Sequence, residues 1–114
     1  MSEGQLLLTM NFRDGTMMLN EGILEALGRP KQVQIMLNEE AKRLLLRPCG
    51  IDSDQAVVLP SEHEVLAEVG AKRILRRLGK LAGWETEQPR ICIGEEIKEY
   101  QAVCFDLTRS MTVM

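Results

Sequence analysis

"LNEGILEALGRPKQVQIMLNEEAKRLLLRPC", Leu19 to Cys49, decides the fold expected of this chain, because it sets a short capped helix directly ahead of a tight hairpin. Asn20 can offer its side-chain oxygen to the free N–H groups at the start of "EGILEALG", and Glu21 sits in the first turn, where the helix dipole favours a negative charge. Ile23, Leu24 and Leu27 form the apolar stripe, Gly28 supplies the left-handed residue that ends the helix, and Pro30 forbids resumption. About two turns of helix do not persist alone in water, so packing must hold this one. In "QVQIMLN" Val33, Ile35 and Leu37 alternate with Gln34, Met36 and Asn38, and "KRLLLRP" answers with Leu44 and Leu46 against Arg43, Leu45 and Arg47. A turn at Asn38 to Ala41 joins these strands, and Pro48 closes the hairpin by removing a ladder donor.

Upstream, "LLLTMNF" (residues 6–12) is a strand with one richly apolar side, Asp14-Gly15 predicts a type I′ turn, and "TMML" is the short return strand. Downstream, residues 48–60 carry Pro48, Gly50, Asp52, Ser53, Asp54 and Pro60 around the short apolar run "AVVL", which marks a boundary. Ser61 and Glu64 form a capping box, and a long helix is expected from there to Gly83, with Leu66, Val69, Ile74, Leu75, Leu78, Leu81 and Ala82 at helical spacing. After Trp84, "RICIG" and "YQAVCFDL" predict a third hairpin turning across Glu95 to Glu99, with Ile91 and Ile93 sharing one face and Val103, Phe105 and Leu107 the other. "TRSMTVM" reads as a frayed tail. No internal repeat of fixed period and no low-complexity segment is visible.

The order strand, DG turn, strand, helix, strand, turn, strand over residues 6–48 resembles the AbrB/SpoVT-like swapped-hairpin family of bacterial regulators. "DGTMML", "ILEALG", "QVQIML" and "KRLLLRP" carry the resemblance, which covers less than half of the chain. It implies that two chains interlace their hairpins into one barrel and form an obligate homodimer. The apolar triplets Leu6–Leu8 and Leu44–Leu46 independently call for a further covering layer, supplied either by the second half of this chain or by a second copy. The expected fold class is therefore α+β. An AbrB-like β-hairpin, short helix and β-hairpin unit (1–48) forms the interlaced dimeric barrel, a linker follows (49–60), and one longer amphipathic helix with a C-terminal β-hairpin completes the chain (61–114).

The same resemblance directs attention to charge. DNA binders of that family place arginines or lysines along the first hairpin and at the start of the short helix, whereas Thr9, Met10, Thr16, Asn20 and Glu25 stand at those places here. Only Arg13, beside the turn, is basic. Since each phosphate contact adds a share of salt-dependent affinity, that face is a poor grip for DNA. The formal charge of −3 likewise requires any nucleic-acid contact to come from a local basic face. "AKRILRRLGK" supplies one: Lys72, Arg73, Arg76, Arg77 and Lys80 fall opposite Ile74, Leu75, Leu78 and Leu81 on a helix. The competing reading is a solvated helix face whose cations suit the dipole and pair with acids such as Glu68.

Other candidates carry less chemistry. Cys49, Cys92 and Cys104 are odd in number and form no C-x-x-C pair, which argues against a disulfide framework and a structural zinc site and for a reducing cytoplasm. The start "MSEGQLLLTM" lacks the basic and apolar regions of a signal peptide, and no membrane span is expected. His63 has no companion ligand, and Glu95, Glu96 and Glu99 read as a solvated charge run. Met10, Met17, Met18 and Met36 read as adaptable core filler. The function expected is that of a small dimeric cytoplasmic regulator, bacterial or phage-like, contacting DNA through the basic helix, with no catalytic, cofactor or metal site. Its rival is a non-enzymatic protein-interaction or structural dimer that has lost DNA contact.

Overall fold

Asn20 organises the first third of the molecule. In the computed structural model, which describes residues 5–49, 56–59, 66–84 and 88–112, its Oδ1 accepts the N–H of Ile23 at 3.1 Å and that of Leu7 at 3.2 Å, and its Nδ2 donates to the Gln5 carbonyl at 2.7 Å. One side chain thus caps a helix, Glu21–Ala26 (α1), and ties it to the strand Leu7–Asn11 (β1). The return strand is Thr16–Asn20 (β2). The turn between them is wider than the type I′ turn expected: Phe12–Gly15 form a four-residue loop in which Asn11 Oδ1 accepts the Asp14 N–H and only Gly15 has positive φ. Gly28 (φ 78°) and Arg29 (φ 49°) then turn the chain out of α1.

The second hairpin, Gln32–Asn38 (β3) and Arg43–Pro48 (β4), buries Val33, Ile35, Leu44 and Leu46 of the expected apolar set and leaves Leu37 partly buried at its end. Beyond it come Ala56–Val58 (β5), Leu66–Gly70 (β6), the helix Lys72–Ala82 (α2), Arg90–Ile97 (β7), Ala102–Asp106 (β8) and Met111–Thr112 (β9). The ladder runs β5-β3-β4-β8-β7-β1-β2-β6, antiparallel throughout, with β9 added to β7. Its end strands β5 and β6 approach each other, so the sheet curls into a nearly closed barrel around Leu8, Met10, Met17, Leu19, Leu44, Leu46 and Phe105.

This architecture corrects the α+β expectation. The protein is mostly β, α-helix among the described residues is confined to the 6 residues of α1 and the 11 of α2, and all three segments of the chain contribute to one sheet: β5 pairs with β3, and β4 with β8. The long helix expected from Ser61 is overturned over Leu66–Gly70, which is a strand, and is found only from Lys72 to Ala82. Leu66 and Val69 mimic a helical stripe, yet it is Ala67 and Val69 that point inward, in a strand paired with β2, and Gly70 precedes the break into α2. Ser61, His63 and Glu64 lie outside the described residues. The third hairpin turns at Lys98–Gln101, leaving Glu95 and Glu96 inside β7, and Cys92 faces inward while Ile93 is exposed. The tail is not wholly frayed, since Met111 and Thr112 pair with Ile91 and Arg90.

A repeat invisible as a fixed period is plain in space. β1-β2-α1-β3-β4 and β5-β6-α2-β7-β8 occupy places related by a pseudo-twofold axis passing between β4 and β8. Registers agree: Leu8 lies opposite Cys92 across β1–β7, and Val57 opposite Val33 across β5–β3. Lys42 (φ 55°) and Gln101 (φ 54°) end the two hairpin turns in the same left-handed conformation. The helices share a pattern, "ILEALG" at 23–28 and "ILRRLG" at 74–79. The halves are also exchanged, because Gly28, just past α1, packs on Gln101 of the β7–β8 turn while Arg77 of α2 binds Glu39 of the β3–β4 turn. The apolar hairpin faces that called for a covering layer are covered here by the other half of the same chain.

Candidate nucleic-acid interface

α2 forms because its apolar positions recur at helical spacing and Gly83, in the left-handed conformation at φ 67°, stops it, as the sequence indicates. Its first turn has no side-chain cap. Leu75 and Leu78 seat the inner side on the barrel, and Lys72, Arg73, Arg76, Arg77 and Lys80 are all exposed. Arg77 is the one held in place: its Nε and Nη2 donate to the two carboxylate oxygens of Glu39 at 3.1 and 2.8 Å. That fork, first through its hydrogen bond and then through charge, raises the Arg77 pKa above its ordinary value.

Arg13, distant in sequence, sits in the turn that abuts this helix. A Cβ built on Gly15 would lie 3.0 Å from Lys72 Cγ, and the Ala71 N–H donates to the Gly15 carbonyl at 2.8 Å. Glu68, the acid expected to pair with the helix, belongs to β6 and forms no ion pair with it. Among the described residues, Lys72, Arg73, Arg76 and Lys80 have no carboxylate within ion-pair distance.

The pseudo-twofold gives this face a built-in comparison. Glu21 and Glu25 of α1 correspond to Lys72 and Arg76 of α2, so equivalent helices present opposite charges. Arg29, which corresponds to Lys80, bridges both acids at 3.5 and 3.2 Å. Sequence reasoning found the cations but not their acidic counterpart, for which the shared I-L-x-x-L-G pattern was the available signal.

The remaining candidates separate. Cys92 is buried, its thiol donating to the Asp106 carbonyl at 3.3 Å, whereas Cys49 and Cys104 are half-buried. No group of three or more acidic, histidine or cysteine side chains able to hold a metal exists among the described residues. Glu95, Glu96 and Glu99 are exposed. No helix among the described residues is long and apolar enough to cross a membrane. Met10 and Met17 are fully buried, but Met36 is 40% exposed and lies in register with Leu45 and Cys104 on the outer face. Comparison of the chain with protein-family models, curated proteins and solved structures finds no match.

Proposed function

We propose that the protein is a non-enzymatic nucleic-acid-binding module of regulatory type that meets the phosphate backbone through the exposed face of α2. The observation that carries this reading is the set of four unpaired cations, Lys72, Arg73, Arg76 and Lys80, displayed on one rigidly seated helix beside the Arg13 turn. Cations that cost nothing to unpair are available for counterion release, and a helix is a shape that lies along a groove or backbone. The chain's charge of −3 confines the attraction to that face.

The likeness to AbrB/SpoVT-like regulators enters as part of the same proposal, with the two halves of one chain standing where two hairpin units would. The core then needs no second copy. A homodimer would form through outer surfaces, and light scattering at micromolar concentration distinguishes it from a monomer. A protein-interaction module is the second reading, favoured by the outward row of Met36, Leu45 and Cys104 on neighbouring strands.

The test is retention of mixed-sequence duplex at two salt concentrations. Four phosphate contacts give a log–log salt slope of about −3 to −4. Reversing Arg73, Arg76 and Lys80 to Glu should abolish retention; Arg77 is left alone because Glu39 depends on it. Binding that is absent, or insensitive to both salt and these reversals, rejects the nucleic-acid reading in favour of the second.

A further inference from the structure

Behind α2, on the side away from its cations, lies a cavity of about 210 Å³ walled by Leu78, Leu81, Ala82 and Trp84, with Lys42 and Arg90 as its charged members. Sites for drug-sized ligands run to roughly 300–1,000 Å³, so this one suits a single ring or a short branched chain and is too small for a nucleotide.

Neither cation is paired with a carboxylate among the described residues. Arg90 lies over the Trp84 ring, 4.2 Å from its centroid, and spends Nε and Nη2 on Ser110 at 3.0 and 3.2 Å, which leaves Nη1 without a described partner. Asp106, the nearby acid, accepts from the Thr108 hydroxyl at 2.6 Å and from its N–H at 3.1 Å. Phe12 meets the Trp84 ring edge-on at 5.7 Å and fixes that wall.

The other half of the barrel is the control. There the helix stops at its glycine, and the Gln101 amide packs so closely on Gly28 that a Cβ at that position would lie 2.5 Å from Nε2. In the second half the chain does not stop at Gly79. It runs a further turn to Gly83, and Lys42 replaces Gln101 at the corresponding position. An extra turn raises the wall, and an amide that fills space gives way to a cation.

We infer that this cavity is a binding site for a small organic carboxylate with a compact apolar or aromatic body, its carboxylate facing Lys42 and Arg90 and its body against Leu78, Leu81 and Trp84. Charge-assisted hydrogen bonds to a carboxylate supply the selectivity, and the apolar wall supplies the fit. The site is independent of whether α2 binds nucleic acid.

Trp84 is the only tryptophan of the chain, so its indole N–H resonance and its emission report the site directly. Titration with benzoate should give a saturable shift, with benzyl alcohol and inorganic phosphate each at least about tenfold weaker, since one lacks the charge and the other the apolar body. Lys42→Gln should weaken benzoate about tenfold without changing the thermal midpoint, because glutamine already occupies the equivalent left-handed position. Ala82→Leu, which fills the cavity, should abolish the shift. No saturable response to benzoate, equal affinity for benzyl alcohol, or an unchanged affinity in Lys42→Gln overturns the proposal.

Discussion

The ring of Phe105 occupies the space that a side chain at Gly94 would need. A Cβ built on Gly94 would lie 2.6 Å from Phe105 Cε2 and 2.7 Å from Val103 Cγ1. These two residues face each other across β7 and β8, and their counterparts across β3 and β4 are Ile35 and Leu46. One half fills its layer with two aliphatic side chains, the other with a large ring and none. Gly94→Ala should therefore destabilise by about 1–3 kcal/mol through overpacking. Adding Phe105→Leu should return part of that loss, and urea unfolding of the two single variants and the double variant measures the coupling.

Asn20 is the next position to test, since its amide serves α1, β1 and residue 5 together. Asn20→Ala should cost about 1–2 kcal/mol, at the upper end of helix-cap losses. Asn20→Asp keeps the two accepted bonds and loses the donated one, so it should fall between wild type and Asn20→Ala in the same unfolding measurement.

Alkaline stability should carry the signature of Cys92. Burial, helped by the charges of Asp106 and Cys104 and opposed by Arg90, pushes this thiol up to about 11 from an ordinary value near 9. Below the unfolded value the thiol is neutral in both states and its contribution is fully present. As pH rises from about 9 to about 11 the unfolded chain ionises first, so stability falls across that window. In Cys92→Val, which places at this position the residue found at its counterpart Val33, this portion of the fall should vanish. Denaturation midpoints of the two proteins that stay parallel from pH 8 to 11 would reject the assignment.

The opposed charges of α1 and α2 allow a gain-of-function test. Glu21→Lys with Glu25→Arg puts on α1 the cations that α2 carries at the equivalent places. If phosphate contact is what α2 provides, duplex retention at moderate salt should rise and the salt slope steepen by about one to two units. An unchanged slope in a folded variant would mean that α1 is out of reach of a duplex lying on α2.

Local chemistry was legible in the sequence, and long-range pairing was not. The Asn20 cap, the Gly28 and Gly83 stops and the inward set of β3 and β4 depend on neighbours a few residues away, and each is found as read. β6 was misread because Leu66 and Val69 are spaced three apart, while the partner that makes this segment a strand, β2, lies far upstream. Which side of β7 turns inward is set by a steric reason that lies on another strand. Ile91 and Ile93 are the apolar choices, but the Phe105 ring already fills the layer over Gly94, so Cys92 and Gly94 face in and Ile93 is left 52% exposed. At the basic helix the cations could be read from spacing alone. That Arg77 is tied to Glu39, that Arg13 lies in a turn abutting Lys72, and that α1 mirrors the face with acids all depend on the exchange of the two halves.

That exchange also sets the order of events during synthesis. β4 finds its outer neighbour only in β8, and β1 finds its own only in β7, so neither half of the barrel has a closed sheet until the chain has been made through Asp106. A nascent chain ending before that point carries paired hairpins with uncovered apolar faces and free edges, the state most open to capture by chaperones or by other nascent chains. The barrel therefore closes only once the stretch from Arg90 to Asp106 has joined the chain.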